Sequence, residues 1–211
     1  MGVKEAIRNE SFLGGGKVRL RGYFSTSRYL EMLQEQRLFD TCTLRNPSVW
    51  YRSLEEIALR QRPIMMHIRR GDLMSSIEHH GVLDEKYYEH ALNLALDKYS
   101  KHPIWVFSDA IQEIQNWELF EGKDVFFVQR DRSSSLSYLN LDDPAEHLLL
   151  MSYGCANIVA NSSFSLFGAM FNQNADLVIC PQPITRNSNM NIQSFYPENW
   201  VRIPAVWHEI N

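Results

Sequence analysis

The stretch Ile64-Met65-Met66-His67-Ile68-Arg69-Arg70-Gly71-Asp72 sets the pattern that much of the sequence repeats. Its first five residues form an apolar run directly after Pro63, and so short a run indicates a strand that is buried on both faces. Charged residues and a glycine follow at the point where such a strand must end. The stretch therefore predicts a buried strand that places two adjacent arginines at the edge of a sheet.

Four further apolar runs repeat this pattern and are predicted as strands: 104–107, 125–128, 157–160 and 177–180. We expect Pro181 to end the last of them, because proline has no N–H for a sheet. Segments with helical spacing lie before and between the runs: 25–39, 52–60, 87–99, 111–120, 144–153 and 164–171. Strands that are apolar on both faces and alternate with helices indicate a parallel sheet covered on both sides. We therefore predict a doubly wound α/β unit over residues 63–180.

The composition is that of a soluble globular protein, with 211 residues, 45% of them apolar and 22% charged. The net charge of −4 lacks the basic excess of proteins that bind nucleic acid non-specifically, so we expect no nucleic-acid partner. Three cysteines without C-x-x-C spacing argue against a disulfide scaffold and favour a reducing compartment. We find no apolar run of the roughly 18 residues that cross a bilayer and no signal-peptide pattern. We expect a cytoplasmic protein, peripheral to the membrane at most.

Polar clusters follow three of the predicted strands: Arg69-Arg70-Gly71-Asp72, Ser108-Asp109 and Asn161-Ser162-Ser163. Because ligands of doubly wound sheets bind at the carboxyl ends of the strands, the clusters predict one site. Paired arginines suit a phosphate, since guanidinium groups offer forked N–H donors. Gly71 would let the backbone approach the ligand, and Asp72 could orient an arginine, accept a hydrogen bond or act as a base. The alternatives are a solvated charged turn and, for Ser108 and Asp109, a helix cap.

The string His67-Ile68-Arg69-Arg70-Gly71-Asp72 resembles the H-x-R-R-G-D motif of the α-1,2-fucosyltransferases, glycosyltransferase family 11. Other stretches resemble further segments of that family in the same order: Gly22-Tyr23-Phe24-Ser25, His80-Gly81-Val82, Tyr87-Tyr88, Phe107-Ser108-Asp109, residues 158–165, and Pro197-Glu198-Asn199-Trp200. The resemblance extends from Tyr23 to Ile203. The sequence departs from the family where Leu166-Phe167 replaces two tryptophans and where Ala110 replaces the second acidic residue of F-S-D-D.

The resemblance implies an inverting enzyme that transfers L-fucose from GDP-L-fucose to O2 of a β-galactoside in surface-glycan synthesis, without a metal. The scattered histidines also lack metal-ligand spacing. By the same resemblance Arg70 stabilises the leaving group, and Asp72 is our candidate base. The implied donor-binding residues are His67, Arg69, Arg70, Ser108, Asp109, Asn161, Ser162, Ser163 and Ser165. The alternative for His67 is a packed residue at the strand end, and simple helix capping is compatible with the serines.

The resemblance also implies a GT-B architecture of two α/β halves. Because a second half needs roughly 100 residues and about 60 precede the motif strand, we expect the amino-terminal, acceptor-side half to be short or missing. Residues 1–60 are then a short, mainly helical segment, and residues 61–211 form a Rossmann-like GDP-sugar-binding domain. Two alternatives remain open: a fucosyltransferase with a protein or another sugar as acceptor, and a truncated or non-catalytic GDP-binding domain.

Overall fold

The computed structural model describes residues 26–35, 38–130, 144–187 and 194–209. In these ranges the strands are β1 (Ile64–Ile68), β2 (Ile104–Ser108), β3 (Val125–Phe127), β4 (Ala156–Ile158), β5 (Leu177–Gln182) and β6 (Val201–Pro204). The α-helices are α1 (Ser27–Glu35), α2 (Val49–Gln61), α3 (Glu85–Tyr99), α4 (Ile111–Ile114), α5 (Pro144–Leu150) and α6 (Ser163–Phe171). Short 3₁₀ turns cover Leu38–Thr41, Gly71–Ser76, Glu118–Phe120 and Met151–Tyr153.

The described strands form one sheet in the order β3-β2-β1-β4-β5-β6, and all neighbouring pairs are parallel. This is the strand order of Rossmann-type nucleotide-binding sheets. The chain moves outward on one side from β1 to β3 and then returns to start β4 on the other side of β1. The order therefore reverses between β1 and β4, which is the point where such sheets bind their ligands.

Both faces of the sheet are covered, as the apolar strands predict. On one face, Met66 and Val106 pack in a buried cluster with Tyr87 and Leu92 of α3. On the other face, residues of β1 and β2 pack with buried residues of α2 and α5: Met65, Trp105, Phe107, Leu54, Ala58 and Leu150. Helix α6 packs over β5 through a third cluster on that side of the sheet. The predicted doubly wound α/β fold is confirmed.

One predicted strand end was wrong, and one strand was not predicted. Strand β5 continues through Pro181 to Gln182, although Pro181 was expected to end it. The pairing of β5 with β4 ends at Ile179, so the N–H that proline lacks is not needed by that neighbour. Strand β6 was missed because its four residues include Arg202 and form no apolar run.

Helices differ from the prediction mainly at their ends. Helix α2 begins at Val49, earlier than predicted, because the Ser48 hydroxyl accepts a hydrogen bond from Tyr51 N at 3.1 Å and caps it. The helix predicted over 111–120 divides into α4 and a separate 3₁₀ turn, Glu118–Phe120. The resemblance at residues 22–25 lies outside the described residues. Among the described helices, none has the length and apolarity required to span a membrane.

Candidate active site

Strands β1 and β2 bring their polar ends together at one edge of the sheet. The parallel register pairs Ile68 with Ser108, so the segments that follow the two strands run side by side. The guanidinium of Arg69 donates to the carboxylates of Asp109 and, at 2.5 Å, Asp72. The backbone N–H of Arg70 donates to Asp109 Oδ1 at 3.0 Å. These residues thus form one constellation, as the strand-end argument predicts.

The side chain of Arg70 lies against the protein. It is 11% exposed, and its Nε is 3.4 Å from Glu113 Oε2. Its guanidinium carbon lies 5.6 Å from the centre of the Trp117 ring, which is within the range of a cation–π contact. A solvated turn residue would make none of these contacts. The geometry therefore favours a packed, oriented guanidinium over the solvated-turn alternative.

Gly71 is required by Asp109. A Cβ atom at position 71 would lie 2.2 Å from Asp109 Oδ2 and 2.8 Å from its Cγ. Any larger residue would therefore displace the carboxylate that holds Arg69 and the Arg70 backbone. The sequence predicted that this glycine admits a ligand; the group that approaches it in the structure is the Asp109 side chain.

Ser108 and Asp109 have different environments. The Ser108 hydroxyl accepts a hydrogen bond from Ala110 N at 3.0 Å, so it satisfies a backbone donor just before α4. Asp109 accepts instead from Arg70 N and pairs with Arg69. The capping alternative therefore fits Ser108, whereas Asp109 binds the segment that carries the two arginines.

The polar residues after β4 also divide by position. Asn161 Nδ2 donates to Gly81 O at 3.0 Å and ties the loop before α3 to the strand end. Ser162 caps α6 by accepting from Phe164 N at 3.2 Å, and Ser163 is exposed at the helix N-terminus. Ser165 is 1% exposed, and its hydroxyl accepts from Ala160 N at 2.8 Å. Ser162 and Ser163 are thus placed for an anion at the helix N-terminus, whereas Ser165 holds the turn together.

His67 is buried at the end of β1. Its ring lies 5.4 Å from that of Phe164, centre to centre, and its Nδ1 is buried without a hydrogen-bond partner. Burial, the positive charge of Arg69 and the neighbouring His147 lower the pKa of His67 to about 3. The ring is therefore neutral at physiological pH and supplies no positive charge to a phosphate. This geometry favours the packed-histidine alternative.

We predict that His67 does not take up a proton between pH 8 and pH 5 in the folded protein. Below pH 6.5 the unfolded chain protonates this ring and the folded chain does not, so stability falls with pH down to about 3. The slope contributed by His67 is at most about 1.4 kcal/mol per pH unit. NMR titration of the His67 ring and urea unfolding of His67→Asn test this. A ring that titrates near pH 6.5, or a variant with unchanged pH dependence, would contradict it.

The profile of glycosyl transferase family 11 matches residues 51–204, which include the strands and all the site segments described above. This chain belongs to glycosyl transferase family 11. The resemblance drawn from the H-x-R-R-G-D motif at 67–72 is thereby confirmed at the level of the family.

Two curated relatives are similar to this family 11 chain. The α-1,2-colitosyltransferase of Escherichia coli is 28% identical over 192 residues, which cover 89% of this chain and 63% of that protein. The O-antigen biosynthesis glycosyltransferase WbnK of Escherichia coli is 30% identical over 142 residues, which cover 65% of this chain and 43% of WbnK. The chain therefore spans less than two thirds of the length of either relative.

A solved structure is also similar to it: the crystal structure of NodZ α-1,6-fucosyltransferase soaked with GDP-fucose. That similarity has a TM-score of 0.34 and 16% sequence identity, and covers 59% of this chain and 42% of the NodZ chain.

A second polar cluster at the same edge was not predicted from the sequence. Arg130, just beyond β3, donates to the Glu146 carboxylate, and its guanidinium carbon lies 4.8 Å from the centre of the Trp50 ring. Ser48 also donates to Glu146, from its N at 2.7 Å and from its hydroxyl at 2.8 Å. The sequence signal that could have found this cluster is that Arg130 follows a predicted strand, as Arg69 does. The cluster anchors the start of α2 to the segment after β3 and to the first turn of α5.

Within the described ranges, no group of three or more His, Cys, Asp and Glu side chains is placed to hold a metal ion. The expectation that the reaction needs no metal stays a prediction, which the binding experiment below addresses.

Proposed function

We propose that this chain binds GDP-L-fucose where β1, β2 and β4 end, and that it serves the inverting transfer of fucose to O2 of a β-galactoside in surface-glycan synthesis. The observation that carries the proposal is the position of the Arg69-Arg70 pair. It follows β1 directly at the reversal of strand order, opposite the N-terminus of α6 after β4. The binding site of a nucleotide diphosphate in such sheets is this crevice.

The two arginines of the site are paired with carboxylates of the protein, and an anionic ligand can replace one of those carboxylates. Arg69 and Arg70 face three carboxylates, those of Asp72, Asp109 and Glu113. Asp72 is 71% exposed, so its ion pair with Arg69 contributes little and is readily exchanged. A diphosphate oxygen can take the place of the Asp72 carboxylate on Arg69 Nη2. This exchange would also release Asp72.

In the proposed reaction, the acceptor O2 attacks the anomeric carbon as the bond from that carbon to the β-phosphate oxygen breaks. The electron pair of the broken bond stays on GDP, and the guanidinium groups of Arg69 and Arg70 stabilise the added charge. The proton of the attacking hydroxyl passes to a base, for which the exposed Asp72 carboxylate is the candidate. Inversion follows because the acceptor attacks from the side opposite GDP.

A second candidate donor is supported by the similarity to the colitosyltransferase, which covers 89% of this chain. Colitose is L-fucose without its 3-hydroxyl group, so the same diphosphate contacts serve either sugar. The transfer experiment below also tests the alternative of a GDP-binding domain without transfer activity.

We predict that GDP and GDP-fucose bind with dissociation constants in the micromolar range, on the order of −8 kcal/mol, and that EDTA leaves both unchanged. The reason is that two guanidinium groups and a helix N-terminus can neutralise the diphosphate without a cation. Titration calorimetry with and without EDTA measures this. A strict requirement for magnesium or manganese would contradict the metal-free account, and no binding of GDP would overturn the proposed function.

The transfer step is tested on the same preparation. GDP-fucose and GDP-colitose are each offered with lactose and with a protein acceptor, and labelled product is counted. Fucosyl-lactose supports the proposed function, whereas preference for the other donor or acceptor supports the corresponding alternative. GDP binding without any product supports the binding-domain alternative.

A further inference from the structure

We propose that Asp109 is a positioning residue for the Arg69-Arg70 segment and makes no contact with the nucleoside, an inference that rests on the proposed function. Its two carboxylate oxygens are engaged by that segment. Oδ1 accepts from Arg70 N at 3.0 Å, and Oδ2 accepts from the Arg69 guanidinium. The side chain is 26% exposed and lies against the Cα of Gly71.

The parallel register explains why a residue that follows β2 can act on the segment after β1. Ile68 is opposite Ser108, so the next residue of each strand lies at the same level of the sheet edge. Asp109 is thus the first residue after β2, and it reaches the turn formed by Arg69, Arg70 and Gly71. The absence of a Cβ at Gly71 lets the carboxylate enter this turn.

The charge of Asp109 argues against a direct contact with the diphosphate, and the engagement of both its oxygens by the arginine segment argues against a contact with the nucleoside. A carboxylate beside a diphosphate repels it, so this group would weaken donor binding unless it contributed something else. What it contributes is an acceptor for a partly buried backbone N–H and a fixed direction for the Arg69 guanidinium. Charged groups that are fixed before the reaction stabilise a developing charge better than mobile ones.

The experiment compares Asp109→Ala with Asp109→Asn, using GDP and inorganic pyrophosphate as probes. Asparagine keeps an acceptor for Arg70 N, and alanine keeps none. We expect Asp109→Ala to weaken the binding of GDP and of pyrophosphate by the same factor, about 10-fold or more. We expect Asp109→Asn to bind both probes within about 3-fold of the wild type. This variant loses the ion pair with Arg69 and also the repulsion between a carboxylate and the phosphates. Gly71→Ala should resemble Asp109→Ala, because its Cβ displaces the carboxylate.

Hydrogen exchange of the Arg70 amide provides a readout that needs no ligand. It should speed up at least about 10-fold in Asp109→Ala and stay protected in Asp109→Asn. The matched control is Asp124→Asn, an exposed carboxylate just before β3, which should change neither binding nor this exchange. Circular dichroism of each variant checks the fold.

Three results would overturn the inference. Asp109→Ala could weaken GDP but leave pyrophosphate unchanged, which would make Asp109 a nucleoside contact. Asp109→Asn could bind the probes as weakly as Asp109→Ala does. Hydrogen exchange of the Arg70 amide could be the same in Asp109→Ala as in the wild type. Failure of the wild-type chain to bind GDP is a different outcome: it overturns the proposed function, and Arg70 exchange still decides whether Asp109 positions the segment.

Discussion

Replacing Arg70 by lysine is expected to lower kcat/KM for sugar transfer by at least about 100-fold, which is a few kcal/mol of transition-state stabilisation. Lysine keeps the positive charge and loses the planar, forked donor group. Arg70 Nε lies 3.4 Å from Glu113 Oε2 and the guanidinium carbon lies over the Trp117 ring, and these contacts orient a flat guanidinium. An ammonium group in the same place would bind one phosphate oxygen without fixing its direction.

The measurement is a transfer assay in which the donor concentration is varied at a fixed acceptor concentration. Circular dichroism shows whether the fold is intact. The matched control is Arg52→Lys on the exposed side of α2, where the same exchange should leave kcat/KM unchanged. Activity of Arg70→Lys near that of the wild type would mean that charge alone suffices at this position. It would also remove the geometric reason for assigning the leaving-group role to Arg70.

The central sheet could be predicted from the sequence because its strands are apolar on both faces. Residues 64–68 are all buried, and such a run differs clearly from the helical segments around it. The edge of the sheet that carries the polar residues followed from the same argument, since parallel strands end together. The family resemblance added an expected ligand class but no geometry. Both inferences depend on local sequence, which is why they could be made.

The remaining features depend on contacts between distant parts of the chain. Asp109 is 40 residues from Arg69, and its role became visible only with the register of β1 and β2. Strand β6 is short and partly charged, so its place beside β5 had no local signal. Glu146 lies 98 residues from Ser48, and no spacing rule joins them. Contacts of this kind are set by the packed fold.

The largest expected effect on stability concerns Arg130 and Glu146. The Glu146 side chain is 3% exposed and that of Arg130 is 11% exposed, so their ion pair is largely removed from water. Replacing Arg130 by methionine keeps apolar bulk over Trp50 and leaves the carboxylate without its arginine. Breaking one side of a buried pair costs about 3–5 kcal/mol, and we expect a loss of about 3 kcal/mol in the free energy of unfolding. Urea denaturation measures this.

The second variant separates the lost attraction from the buried charge that remains. Glu146→Gln removes the charge and keeps an oxygen that can accept from Ser48 N. If the uncompensated carboxylate is the main cost, Arg130→Met with Glu146→Gln should be more stable than Arg130→Met alone by about 1 kcal/mol or more. Arg60→Met, on an exposed arginine of α2, should change stability by less than about 0.5 kcal/mol. A double variant no more stable than Arg130→Met would show that the cost comes from lost packing over Trp50, and the ion pair would then have no part in anchoring α2 to this edge of the sheet.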